Sequence, residues 1–198
     1  LGPRYHHPAP LQDVRRAIRT VRARAKDHSI DPTRIGVLGF SAGGHLAASA
    51  STMFEAGDKS AKDPIERVSS RPDFAVLCYP VITFKKPHGH AGSGRNLLGP
   101  DASEEQLDAM SLQKRVTKDT PPTFLFHTSE DTGVPPENSL FYYLALREHG
   151  VPAELHVFEK GRHGVGLAKG MTGTSDWPER CREWLEVRGI IPSKEVSR

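Results

Sequence analysis

Gly39-Phe40-Ser41-Ala42-Gly43 places a serine between two glycines, where an apolar run over 34–40 gives way to the small residues of "AGGHLAAS". A serine set there can act as a nucleophile. A strand that turns sharply into a helix lifts the hydroxyl above the sheet, and the amide of the next residue, Ala42, points at the oxyanion formed on attack of a carbonyl. Glycines at 39 and 43 are expected because such a turn leaves no room for side chains. The competing reading is a serine in an ordinary tight turn. The strand-like residues before it and the helix-forming ones after it favour the nucleophile.

Such a serine needs a base, and on a strand–elbow–helix unit the acid and then the histidine follow it in chain order. The chain has 10 histidines. His6, His7, His28 and His45 come too early, and His88 and His90 lie in an irregular stretch. His127 and His156 sit inside strand-like runs, and His149 ends a helix-like one. His163 is left, in the glycine-flanked "KGRHGVGL", a flexible loop from which an imidazole can swing over Ser41. For the acid, "HTSEDTGVPPENS" offers both Glu130 and Asp131. Asp131 opens a turn ending at Val134-Pro135 that would fix a short carboxylate, whereas Glu130 is expected to face solvent. Gly39, Phe40, Val134 and Val165 are expected to contact substrate. This chemistry requires no metal and no cofactor.

The elements that must position these residues follow from periodicity. Leu11, Val14, Ile18, Val21 and Ala25 recur at helical spacing, with Pro10 in the first turn. Strands are expected over 34–40, 73–79 ("DFAVLCY"), 121–128 ("PPTFLFHT") and 153–159. Helices are expected over 41–56, over 138–149 with Asn138 or Ser139 as N-cap, and over 176–188. Strands alternating with helices imply an α/β fold, a mostly parallel sheet with helices on both faces, whose ligands bind at the carboxyl ends of the strands. The mixed segment 81–119, with short helical pieces, is expected to cap the acyl pocket within one domain spanning 1–198.

With 198 residues, 36% hydrophobic and 26% charged, the composition is that of one globular domain. A net charge of +3 and the absence of aromatics among Arg15, Arg16, Arg19, Arg22 and Arg24 argue for a solvated helix face. A nucleic-acid or membrane surface is disfavoured. Cys78 and Cys181 are expected to be free and buried. His6-His7 and His88-Gly89-His90 lack a carboxylate or cysteine at ligand spacing, and "HAGSGRN" lacks the Lys-Ser/Thr of a phosphate loop.

"GFSAGGHLAAS", "NLLG" and "PPTFLFHTSEDTGVPPENSLFYYLALREHGVPAELHVFEKGRHGVGL", with the terminal Trp-containing helix, resemble the bacterial acetyl-xylan and related carbohydrate esterases of the α/β-hydrolase fold. The resemblance runs from about Tyr5 to Leu185. It implies Ser41, Asp131 and His163 as the triad and an acetylated carbohydrate or other small ester as substrate. It implies a bacterial source, with the compartment open between cytoplasm and export. Relatives carry an earlier His-Gly-Gly loop that donates a second amide to the oxyanion; by the resemblance this loop and the family's first strands are expected to be missing from the 198 residues. A weakened catalyst and a serine peptidase of the prolyl-oligopeptidase type are the alternatives, and a homo-oligomer paired through the uncovered sheet edge is expected.

Overall fold

A computed structural model describes residues 5–193. Four strands, β1 (Gly36–Phe40), β2 (Phe74–Cys78), β3 (Thr123–Thr128) and β4 (Ala153–Phe158), form one parallel sheet in the order β1-β2-β3-β4. The helices are α1 (Ala9–Ala23), α2 (Ala42–Thr52), α3 (Ala91–Leu98), α4 (Glu104–Ala109), α5 (Glu137–Glu148) and α6 (Trp177–Val187). All four expected strands are present.

The apolar runs read as buried strands because both faces of the sheet are covered. On β2, Ala75 and Leu77 pack with Ala47 and Ala48 of α2 and with Tyr142 and Leu146 of α5. The alternate residues, Val76 and Cys78, meet Phe124 and Phe126 of β3 and Trp177 and Trp184 of α6. Phe126 lies on Trp177 with ring centroids 4.9 Å apart and planes 9° from parallel. Cys78 and Cys181 are both buried free thiols on this side. Desolvation pushes Cys181 up to about 12, so it stays protonated and packs as a small apolar group. β1 is an edge strand among the described residues, and its Leu38 is 56% exposed. No helix among those residues is long and apolar enough to cross a membrane.

Three expectations about the helices need correction. Arg16 and Arg24 are exposed as expected, but Arg15, Arg19 and Arg22 do not form a solvated face. Arg19 is buried, and its guanidinium donates to the carbonyls of Val68 (3.0 Å) and Ala56 (3.1 Å) and to Glu66 (2.5 Å). Arg22 reaches Asp73 (2.7 Å) and the Ser69 carbonyl (2.6 Å), and Arg15 donates to the Met53 carbonyl and to Glu55. They clamp the irregular chain between α2 and β2, while Val21 of the supposed apolar stripe is exposed. Second, α2 ends at Thr52 rather than at 56. Residue 55 pairs instead with Ser70, whose amide donates to the Glu55 carbonyl at 3.0 Å. Third, neither Asn138 nor Ser139 caps α5, which starts at Glu137 behind Pro136. Asn138 is buried; its Oδ1 accepts from the amides of Ile82 (2.9 Å) and Thr83 (3.0 Å), and its Nδ2 donates to the His88 and Pro135 carbonyls.

His45 ties α2 to the 81–119 segment. Its ring is buried, stacks on Phe84 at 4.8 Å and donates Nε2–H to the Met110 carbonyl at 3.1 Å. Desolvation drives its pKa down to about 4, against the Met110 hydrogen bond and with help from His7. The unfolded chain, with an ordinary histidine near 6.5, binds the proton first on acidification, so stability is full above pH 6.5 and falls between 6.5 and 4. The expected loss across that window is about 3 kcal/mol. Urea unfolding at pH 7 and pH 4.5 should show it, and His45→Gln should flatten that part of the slope.

Candidate active site

The turn from β1 into α2 is tight enough to put Ser41 at φ 53°, ψ −120°, a region rarely entered by residues with a side chain. Its amide donates to the Cys78 carbonyl (3.0 Å), and its carbonyl accepts from the amides of Val81 (3.1 Å) and His45 (3.2 Å). The steric requirement for glycine is divided differently from the expectation. A Cβ at Gly39 would fall 2.1 Å from the Gly43 carbonyl oxygen, and one at Gly44 would fall 2.7 Å from Cβ of Pro80. A Cβ at Gly43 would meet nothing within 4 Å. Gly39 and Gly44 are the positions where backbone approach forbids a side chain; Gly43 is open. Ala42 begins α2, so its amide belongs to the first turn, where donors have no partner within the helix and the macrodipole favours negative charge.

Ser41, His163 and Asp131 form one hydrogen-bonded chain. Ser41 Oγ lies 2.8 Å from His163 Nε2, and His163 Nδ1 lies 2.6 Å from Asp131 Oδ2. A carboxylate only accepts, so Nδ1 carries the ring proton and Nε2 is free to accept from the serine hydroxyl. Asp131 is fully enclosed, and its Oδ1 accepts from the amides of Gly133 (3.0 Å) and Val134 (2.8 Å). Burial alone would raise its carboxyl. Hydrogen bonds from His127, the Val134 amide and His163 outweigh that and hold it below the ordinary carboxylate range. Glu130 is exposed and paired with Lys160 at 2.8 Å.

The loop bearing His163 is not loose. Glu130 accepts from the Gly161 amide (3.0 Å), Thr128 donates to the Gly161 carbonyl (2.8 Å), and the Gly166 carbonyl accepts from Trp177 Nε1 (3.0 Å). The Gly166 amide donates to the Tyr79 hydroxyl at 3.0 Å, and the Tyr79 ring meets the imidazole of His163 edge-on at 5.2 Å. Glycines at 164 and 166, both at positive φ, bend the chain around the ring rather than free it.

The other expected contacts are placed as follows. Phe40 packs against Tyr79 and Trp177, Val165 borders the α6 side of the core, and Val134 is buried against Val81, Phe84 and Met110. A cavity of about 450 Å³ opens beside the first turn of α2, walled by Ala42, Gly43, His45, Phe84, Leu97 and Met110 among others; Ser41 and His163 do not line it. Tyr79 and His127, which touch His163 and Asp131, escaped the sequence reading. The signal for His127 was a polar residue in an otherwise apolar run, since a fully buried polar group needs partners.

A parallel sheet covered on both faces, with a serine on a strained strand-to-helix turn and a histidine and aspartate in line behind it, is the arrangement of an α/β-hydrolase fold. The chain belongs to the BD-FAE family, whose model matches residues 2–146 and so stops short of β4 and His163. The acetyl ester-xyloside bifunctional hydrolase of Caldicellulosiruptor lactoaceticus is 52% identical, with a TM-score of 0.93 over 96% of this chain and 69% of that one. The endo-1,4-beta-xylanase B of Butyrivibrio fibrisolvens is 41% identical over 82% of this chain and 25% of its own length. The acetylxylan esterase of Xylanibacter ruminicola is 35% identical over 80% of this chain and 31% of its own. The chain thus spans a third or less of these two curated relatives.

The division of labour among the glycines is testable by substitution. Gly39→Ala should destabilise the protein by about 3 kcal/mol or more, because the helix must move off the strand. Gly43→Ala should leave the melting temperature unchanged or slightly raised, since alanine is the better helix former. Calorimetry of the two variants reads the difference directly.

Proposed function

We propose that this chain hydrolyses short-chain carboxylic esters, with acetyl groups on a xylan-type carbohydrate as the natural substrate class. The observation that carries the reading is the continuous Ser41–His163–Asp131 hydrogen-bonded chain at 2.8 and 2.6 Å on a strained turn. In this reading His163 Nε2 takes the proton of Ser41 as Oγ attacks the ester carbonyl. Asp131 holds the Nδ1–H tautomer and stabilises the imidazolium, and the Ala42 amide, at the positive end of α2, receives the oxyanion. His163 then returns the proton to the departing alcohol, leaving acetylated Ser41; water, deprotonated by the same nitrogen, releases acetate and restores the serine. The names of the xylan-active relatives support the carbohydrate half of the proposal. The 81–119 segment, through Phe84, Leu97 and Met110, walls the cavity beside Ala42 and is the cap of this reading.

Ser41→Ala should lower hydrolysis of p-nitrophenyl acetate by about 10³-fold or more with the fold intact. A fluorophosphonate probe should label the parent at Ser41, and p-nitroanilide peptides should not be cut. A variant that retains near-parental esterase activity removes Ser41 from the mechanism. Among p-nitrophenyl esters the acetate should be the best substrate, with each unaccommodated methylene costing up to about 1–3 kcal/mol of discrimination. An optimum at octanoate would contradict the acetyl assignment.

A further inference from the structure

We propose that His127 is a positioning residue for the acid: by holding the Val134 carbonyl and standing beside Asp131 Oδ2 it keeps the carboxylate in the orientation that receives His163, and so sets turnover without touching substrate. The inference rests on the Ser41–His163–Asp131 reading above.

His127 lies on β3 and is fully buried. It shares the face of Leu125, which looks toward α5. Packing alone would be served there by another leucine or valine. A buried imidazole instead demands partners for both nitrogens, and each has one. Nε2 lies 2.9 Å from the Val134 carbonyl, and Nδ1 lies 2.7 Å from Ser139 Oγ on α5. A carbonyl can only accept, so Nε2 bears the hydrogen; Nδ1 is then bare and accepts from the serine hydroxyl. Two neighbours on separate elements therefore fix the tautomer.

With that tautomer fixed, the hydrogen on Nε2 goes to the Val134 carbonyl at 2.9 Å, and Asp131 Oδ2 stands 3.4 Å from the same nitrogen as an electrostatic neighbour. This is the oxygen that takes Nδ1–H of His163 at 2.6 Å. The carboxylate thus meets two backbone amides, Gly133 and Val134, on Oδ1 and two imidazoles on Oδ2. Rotation of Oδ2 away from His163 would break the amide donors on Oδ1 along with the His163 bond. His127 also grips the carbonyl of Val134, whose amide is one of those donors, so ring and turn hold the acid from opposite sides.

Asn and Gln separate the two nitrogens of His127. In His127→Asn the amide stands where Nδ1 was, keeps contact with Ser139 and falls short of Asp131. In His127→Gln the amide nitrogen reaches the former Nε2 position. Steady-state hydrolysis of p-nitrophenyl acetate should show kcat lowered about tenfold or more in His127→Asn and in His127→Leu, with KM within about twofold. His127→Gln should recover most of the loss. In an Asp131→Asn background neither deletion should lower kcat further, because the group through which His127 acts is already altered. Parental kcat in either folded deletion variant overturns the proposal, as does a full repeat of the loss on Asp131→Asn. If both deletions fail to fold, His127→Gln decides: a folded Gln variant with kcat as low as Asp131→Asn overturns it, and near-parental kcat supports it. Fluorophosphonate labelling keeps the two readings apart. A parent that labels at Ser41 while His127→Asn turns over normally sinks only this inference, whereas a parent that does not label at Ser41 sinks the esterase reading beneath it.

Discussion

The backbone of Ser41, at φ 53°, is the constraint around which the rest of the chain is built. A residue with a side chain in that region costs on the order of 1–3 kcal/mol, and it persists only where its surroundings leave no alternative. Here they do not. The closeness of Gly39 to the Gly43 carbonyl fixes how α2 sits on β1, and the Cys78 carbonyl and Val81 amide grip the serine from the chain that follows β2. That chain is itself bent, with Tyr79 at φ 36°, and a few residues later it is tied by Ile82 and Thr83 to Asn138 at the start of α5. The ends of β1 and β2 and the head of α5 thus form one stitched unit, and the hydroxyl is placed by backbone bonds rather than by its own rotamer alone.

The acid presents the opposite problem, a charge where water is excluded. An enclosed carboxylate is stable only when its oxygens are saturated with donors, and Asp131 gets its donors from three places in the chain: its own turn, β3 and the loop after β4. The loop that brings His163 is anchored in turn by Glu130, the neighbouring carboxylate that does not meet His163, and by Tyr79, which belongs to the stitched unit around the serine. Serine, histidine and acid therefore share anchors, so displacement of one is felt by the others.

How legible this was in the sequence depended on the kind of residue. Short apolar runs disclosed every strand among the described residues, and the order of serine, acid and histidine with their turn residues disclosed the three side chains that the structure brings together. The buried polar residues were not legible in the same way. Arg19 is satisfied by carbonyls 37 and 49 positions away, Asn138 by amides 55 and 56 positions away, and His127 partly by a helix hydroxyl. Periodicity counts apolar residues and assigns a polar one to solvent by default. It takes the partner to reverse that assignment, and the partner is known only once the chain is folded. Gly43 failed for a related reason: a glycine required by a close approach and a glycine beside open space look alike until the space around them is seen.

That last distinction shows how much the elbow segment carries. Gly39 allows the helix to cross its strand, Ser41 carries the hydroxyl hydrogen-bonded to His163, and Ala42 opens the first turn of α2. Gly44 lets Pro80 pack at a distance no side chain would permit, which keeps the chain after β2 close enough to hold the Ser41 carbonyl. Gly43 makes no such contact and instead leaves the cavity wall bare between Ala42 and His45. His45, two residues further, fastens that wall to Met110 on the opposite side. Strain, donor, packing and cavity are therefore set by adjacent residues with separate duties. A change at one of them should alter one property at a time, except at Gly39 and Gly44, where the backbone of the neighbour has to move.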